Sequence, residues 1–181
     1  MEYPSLTQLR GLAGRAALAA PASCALVLLL HGCVVYQLGS TPPPGIKRIH
    51  VPIFVNKTGE PDLETVAAQS AIAEFQKDGT LVVAPRDNCD AVLAVTLTQL
   101  KLEPLRYEAD RSKTAKEYRL RIAADVVLKR AGTEEIVLTR RTEGWSTFIV
   151  TGDMAASKRA AFPGAAENLA RHIVSAVTEY W

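Results

Sequence analysis

The first residue whose type and position indicate chemistry is Cys33, which follows the run Leu28-Leu29-Leu30-His31-Gly32. An apolar stretch that ends in a small residue and then a cysteine is typical of bacterial lipoprotein signals, in which the chain is cut before the cysteine and the cysteine is acylated. Two arginines precede the apolar residues 16–30, which are too few to span a bilayer comfortably. The pattern predicts a signal peptide over residues 1–32 and an N-acyl diacylglyceryl lipid on Cys33.

The other cysteines leave two alternatives open. Cys24 follows Ala22-Ser23 and is a second candidate for acylation, but cleavage there would leave the apolar residues 25–30 on the mature protein. An uncleaved N-terminal anchor helix is the remaining interpretation. Cys89 would have no intramolecular partner after signal removal, so the sequence predicts no disulfide within the chain.

A second set of residues could bind anions. The segment Lys101–Arg121, called the basic hairpin below, contains seven basic and four acidic residues. Arginine binds phosphate groups with bidentate geometry, so this excess predicts a site for phosphorylated ligands. The alternative is a solvated sheet face that needs the charge only for solubility. Trp145 and Phe148 are interpreted as core or capping residues.

Composition and motifs argue against several other functions. The chain has 21 basic and 19 acidic residues, a balance that argues against bulk binding to nucleic acid. His50 and His172 have no metal-ligand spacing with cysteine or carboxylate residues, so no metal site is predicted. No catalytic motif is present, and Ser146, Thr147 and Asp153 are only the nearest candidates for a hydrolase. We therefore expect no enzyme activity and no cofactor other than the covalent lipid.

Hydrophobic periodicity predicts the elements that position these residues. They are, in order, a strand over 49–55, a helix from Pro61 to about Asp78, a short strand over 80–84, three long strands over about 91–103, 118–129 and 135–148, and a helix over about 153–180. Pro52 favours an edge or near-edge position for the first strand, because proline removes a ladder donor. A bulge is expected near Thr98-Gln99, and Pro163-Gly164 is expected to kink or divide the last helix.

This order of elements predicts an α+β fold. We expect a two-layer sandwich, in which a mostly antiparallel β-sheet of about four strands has two α-helices packed on one face. A Pro-rich tether over residues 33–45 would join the lipidated cysteine to a single domain over residues 46–181.

Four segments of the sequence carry a resemblance to a known family. They are Cys33-Val34-Val35-Tyr36-Gln37-Leu38, Ile49-His50-Val51-Pro52, Thr114-Ala115-Lys116-Glu117-Tyr118 and Met154-Ala155-Ala156-Ser157-Lys158. In this order they resemble the lipopolysaccharide-assembly lipoprotein LptE family. The resemblance covers nearly the whole of the predicted mature chain.

The resemblance implies a lipoprotein on the periplasmic face of the outer membrane. Such a protein binds lipopolysaccharide, plugs the lumen of a β-barrel partner similar to LptD, and helps to insert lipopolysaccharide into the outer leaflet. Two basic positions implicated in that binding correspond here to Arg111 and Lys158. A shift of register in the basic hairpin would move the role of Arg111 to Arg106 or Lys113.

A second resemblance leads to a different function. The segment from Pro52 to Pro61 is similar to the strand, turn and helix of curli-secretion and synthase-activator lipoproteins. The alternative function is therefore a periplasmic lipoprotein that regulates a cell-wall synthase or a secretion complex.

Overall fold

The computed structural model of the protein describes residues 42–107 and 115–179. In chain order its elements are β1 (Arg48–His50), β2 (Val55–Asn56), α1 (Leu63–Asp78), β3 (Val82–Val83), a 3-10 turn (Arg86–Asn88), β4 (Ala91–Tyr107), β5 (Ala115–Arg130), β6 (Ile136–Ile149), α2 (Met154–Ala160) and α3 (Phe162–Thr178). Among the described residues, no helix combines the length and the hydropathy needed to cross a membrane.

One mixed sheet of six strands forms the first layer. Its main path is β3-β1-β4-β5-β6, and β2 pairs with β4 off this path. β1 and β2 pair in parallel with β4, and β1 is also parallel to β3, whereas β4, β5 and β6 are antiparallel. The α+β class is confirmed, but the expected four-stranded, mostly antiparallel sheet is corrected. The reason is the connection through α1, because a helical crossover returns the chain in the same direction.

The three long strands follow the predicted alternation. Side chains at the even positions 120–128 of β5 are buried in the core. The predicted bulge in β4 is confirmed, because the pairing register shifts between Leu97 and Gln99 and the Thr98 hydroxyl donates to the Ala123 carbonyl at 3.2 Å. The shift lets Leu100 and Leu102 pack against the same core as the odd-numbered residues before the bulge.

The predicted strand over 49–55 is broken in the structure. β1 ends at His50. After Val51 the buried side chains change from odd-numbered to even-numbered positions, since Phe54 is 3% exposed and Ile53 is 66% exposed. Pro52 lies in the break, where a missing N–H costs no ladder hydrogen bond. The edge or near-edge position expected from Pro52 is confirmed, since β1 lies between β3 and β4, one strand in from the edge of the sheet.

α1 begins two residues after the predicted start at Pro61. Asp62, directly before the helix, has a left-handed φ of 67°, so the chain turns sharply there. The predicted end is confirmed, because Asp78 is the last helical residue and the Gly79 N–H donates to the Phe75 carbonyl at 3.0 Å. The buried side chains of α1 are Leu63, Ala67, Ala68, Ala71 and Phe75.

The second layer consists mainly of α1 and α3, which pack against each other. The predicted division of the last helix is confirmed, because Ala161 separates α2 from α3 and Pro163 lies in the first turn of α3. Proline is tolerated there, since the first-turn N–H groups have no helical partner.

α3 also covers part of the outer edge of β6. The Trp145 N–H donates to the Asn168 side-chain oxygen at 3.1 Å, and the Ser146 hydroxyl donates to the Ala161 carbonyl at 2.9 Å. Gly144, directly before Trp145, is buried, and a Cβ there would lie 2.3 Å from the backbone nitrogen of Leu169. The close approach of α3 to this edge therefore requires glycine at position 144.

Candidate functional site

The stem of the basic hairpin carries an accessible cation. β4 and β5 pair as far as Tyr107 and Ala115, while Arg111 and Lys113 lie outside the described residues. The Arg106 side chain is 78% exposed, and its Nε lies 3.9 Å from the Glu117 carboxylate. An ion pair of this length and exposure is weak, so Arg106 remains available to a ligand.

Part of the charge excess of the basic hairpin is neutralised within the sheet. Arg121 donates to Glu143 at 2.9 Å and to Glu103 at 3.3 Å, so three strands are joined through one guanidinium. The hydrogen bond to Glu143 and the charge of Glu103 raise the pKa of Arg121 above its ordinary value. The positive charge available to a ligand is therefore not spread over the whole hairpin.

The two aromatic residues of β6 face opposite sides of the sheet. Phe148 packs against the core and stacks on Tyr118 with ring centroids 5.9 Å apart. Trp145 is 46% exposed, and the Arg119 guanidinium lies 4.9 Å from the centroid of its ring. The core or capping interpretation holds for Phe148, whereas Trp145 forms a cation–π contact on the face away from the helices.

Lys158 lies in α2 and is paired with a carboxylate. The Asp153 side chain accepts the Ala156 N–H at 2.8 Å, which caps the start of α2. Lys158 Nζ lies 2.6 Å from Glu60 Oε1, and the two side chains are only 20% and 24% exposed. Lys158 is therefore held in a largely buried ion pair rather than projecting into solvent.

The loop that carries Glu60 is fixed by its own hydrogen bonds. The Asn56 amide nitrogen donates to the Glu60 carbonyl at 2.7 Å and to the Glu64 carboxylate at 2.6 Å. The Asn56 amide oxygen accepts the Thr58 N–H at 2.9 Å. These contacts fix the backbone of the loop at Glu60 and leave its carboxylate to pair with Lys158 of α2.

Strand register brings the candidate cations to one end of the sheet. Glu117 of β5 is opposite both Arg106 of β4 and Ile149 of β6. α2 follows β6 after a short turn, in which the Thr151 N–H donates to the Ser157 hydroxyl at 3.2 Å. Arg106 and Lys158 therefore belong to the same end of the sheet, where the connection from β4 to β5 also lies.

The family model for lipopolysaccharide assembly, LptE, matches residues 46–177. The match spans both layers of the fold and includes the basic hairpin and α2. The chain belongs to the LptE family. Three of the four sequence segments lie within the matched residues, and the match confirms the resemblance to this family, whose description is lipopolysaccharide assembly.

Solved structures similar to this chain are remote from it in sequence. The hypothetical protein CT253 from Chlamydia trachomatis is 8% identical, with a TM-score of 0.51, and the match covers 72% of this chain and 94% of that one. The uncharacterized lipoprotein B from Nitrosomonas europaea is 12% identical, with a TM-score of 0.48 and coverages of 81% and 90%. The likeness to CT253 concerns the fold alone. Among curated proteins, none matches the chain.

One element of the candidate site could not be found from the sequence. Glu60 is 98 residues away from Lys158 in sequence. Its position directly before Pro61 indicates only an acidic residue near the start of a helix. No local spacing links two residues that far apart. In the described part of the chain, no group of three or more His, Cys, Asp or Glu residues could hold a metal ion.

A second polar cluster stabilises the opposite end of β4. Asp90 accepts the N–H groups of Lys47 and Arg48 at 3.0 and 2.8 Å, and the Arg48 guanidinium at 2.9 Å. The Arg48 hydrogen bond and the two backbone donors hold the pKa of Asp90 well below its usual range. Asp90 thus ties β1 to the start of β4, next to Cys89, a free cysteine whose Sγ contacts the Arg86 carbonyl at 3.2 Å.

Replacing Asp90 with asparagine is expected to lower the midpoint of thermal unfolding by a few degrees at pH 7. Because the pKa of Asp90 is lowered by folding, its stabilising effect is complete above the pKa of the unfolded chain and disappears as the pH falls through the folded value. The wild-type and Asp90→Asn midpoints should therefore converge as the pH is lowered below about 4.

The exposed residue Asp87, three positions earlier, provides the control. Asp87→Asn should leave the midpoint within error of wild type over the same pH range. Equal midpoints for Asp90→Asn and wild type at pH 7 would show that the Asp90 contacts add no stability.

Proposed function

We propose that this protein is an outer-membrane lipoprotein, anchored by a lipid on Cys33, that binds lipopolysaccharide and works with a β-barrel similar to LptD. It acts as the plug and assembly partner of that barrel and helps to insert lipopolysaccharide into the outer leaflet. The observation that carries this proposal is the LptE family match over residues 46–177. In this role the protein is a binding subunit, with no enzyme activity of its own.

The chemistry of the sheet end that carries Arg106 and Lys158 supports a phosphorylated ligand. Arg106 has an exposed guanidinium at this end, and the ammonium group of Lys158 is paired with Glu60. Guanidinium and ammonium groups form charge-assisted hydrogen bonds with phosphate oxygens. We assign Arg111 and Lys158 as the principal cations for lipopolysaccharide, with Arg106 and Lys113 as the neighbouring candidates.

The proposal is tested by affinity purification of the lipidated protein in mild detergent, followed by mass spectrometry of the bound proteins and lipids. We expect a stoichiometric outer-membrane barrel protein together with lipopolysaccharide. The double variant Arg111→Asp, Lys158→Asp should keep the barrel but bind several-fold less lipopolysaccharide, because two attractive contacts become repulsive.

Lys77→Asp supplies the control for charge reversal, since Lys77 lies in the last turn of α1 and is 73% exposed. It should retain both the barrel and the lipopolysaccharide. Recovery of a cell-wall synthase or a secretion complex instead of a barrel would contradict the proposal and favour the regulator.

A further inference from the structure

Glu60 is the counter-ion of Lys158 in the structure, and nothing in the lysine's proposed role accounts for it. We propose that Glu60 occupies the place at Lys158 that a phosphate group of the ligand takes, so that binding requires exchange of the carboxylate for the phosphate. This inference rests on the proposed function, because it takes Lys158 as a ligand-binding cation. Glu60 is then a positioning residue that sets how strongly an anion must bind.

The geometry fits an exchange at a single ammonium group. The Glu60 carboxylate contacts Lys158 at 2.6 Å, a short charge-assisted hydrogen bond, and about a quarter of its side chain is exposed. The exposed fraction gives the carboxylate access to water when another anion replaces it. The hydrogen bonds from Asn56 act on the Glu60 carbonyl and on Glu64, so they do not hold the Glu60 carboxylate itself.

The chemistry of the two anions decides which ligands can displace Glu60. A ligand carboxylate would exchange one carboxylate contact for an equivalent one, with little gain. A phosphate monoester carries about −1.5 to −2 charges at pH 7 and three acceptor oxygens, so it binds the ammonium more strongly than a carboxylate does. The Lys158–Glu60 ion pair therefore favours phosphorylated ligands.

The ion pair also lowers the apparent affinity for every ligand of Lys158. When only a fraction of molecules has the lysine free, the apparent dissociation constant is the intrinsic constant divided by that fraction. If Lys158 is free in about a tenth to a third of the molecules, removing the Glu60 charge should tighten binding about 3- to 10-fold. A purely structural ion pair predicts the opposite result, because its loss would leave binding unchanged or weaken it.

The test compares Glu60→Gln with wild type in titrations of the full lipidated protein, in mild detergent, with purified lipopolysaccharide. Glutamine keeps the shape of the side chain and removes its charge. We expect the dissociation constant to fall about 3- to 10-fold for phosphorylated lipopolysaccharide. No gain is expected for lipopolysaccharide from which the phosphates have been removed, because the contact exchanged at Lys158 is with phosphate.

Glu134→Gln is the matched control, since it removes a carboxylate that lies 2.9 Å from a lysine, Lys129, on the β5–β6 turn. It should change the affinity little, which separates a local exchange from a general effect of net charge. A shorter carboxylate, in Glu60→Asp, should give a smaller gain in the same direction and decides the question if Glu60→Gln does not fold.

Two failures can be told apart with Lys158→Gln. If Lys158→Gln weakens binding but neither Glu60 variant strengthens it, Glu60 is a structural partner and the inference is wrong. If Lys158→Gln leaves lipopolysaccharide binding unchanged, the assignment of Lys158 in the proposed function fails, and the inference fails with it. An equal gain with dephosphorylated lipopolysaccharide would also overturn the exchange with phosphate.

Discussion

Replacing Gly144 with alanine is expected to destabilise the domain by about 3 kcal/mol or more. The added Cβ would lie 2.3 Å from the Leu169 nitrogen and 2.5 Å from its Cα. Backbone atoms cannot rotate away as a side chain can, so α3 must move off the edge of β6. That movement would also strain the hydrogen bond from the Trp145 N–H to Asn168. Because domains of this size are stable by about 5–15 kcal/mol, the loss should be obvious in urea unfolding.

Gly164→Ala is the matched control, because Gly164 lies on the α3 side of the interface between β6 and α3. Gly164 lies in α3, and its Cβ would meet the Ser146 Cβ at 3.4 Å, an ordinary van der Waals distance. Alanine also favours a helix over glycine, so this variant should be neutral or more stable by up to about 1 kcal/mol. A loss below about 1 kcal/mol for Gly144→Ala would show that β6 and α3 are not in close contact at this point.

The sequence predicts best those elements whose pattern depends on their own residues. In β5 the apolar positions repeat every second residue, and this repeat is enough to define both the strand and its buried face. The ends of α1 show the limit. Gly79 defines its end locally, whereas the start depends on the left-handed conformation of Asp62, which no propensity favours strongly.

Local patterns did not predict the parallel pairing of the short strands, nor the change from odd-numbered to even-numbered buried positions after Val51. Alternation over 49–55 is real in the sequence, but the core takes Phe54 instead of Ile53. This choice depends on how Phe54 packs into the common core, most of whose residues are far away in the chain. Local periodicity therefore gives the number of long strands correctly and the direction of the short ones incorrectly.

The candidate site also has a part that the sequence predicts and a part that it does not. The basic hairpin and Lys158 can be identified from the sequence because each lies in a short motif. Their electrostatic partners cannot, since Arg121 is neutralised by residues of two other strands and Lys158 by a loop 98 residues away. The net charge counted along the sequence therefore overestimates the positive charge that is available to a ligand, because it does not include these ion pairs.

The second large effect concerns the anchor. Cys33→Ala is expected to abolish acylation and processing, so that the protein retains residues 1–32 and no longer reaches the outer membrane. Each buried methylene of an acyl chain contributes about 0.8 kcal/mol to membrane binding, so loss of the acyl chains removes the lipid anchor. Labelling with a palmitate analogue and the mass of the N-terminal peptide measure both effects in one preparation.

Cys24→Ala distinguishes the three interpretations of the N-terminus. If Cys33 is acylated, Cys24→Ala should be processed and labelled as wild type is, because Cys24 leaves with the signal peptide. Acylation of Cys24 instead would give two results: Cys24→Ala would lose the label, and the wild-type mature chain would begin at residue 24. An unlabelled wild-type protein that retains residues 1–32 would instead establish an uncleaved anchor helix. Either result would change the length of chain between the membrane and the domain, and with it the reach available for docking to a barrel.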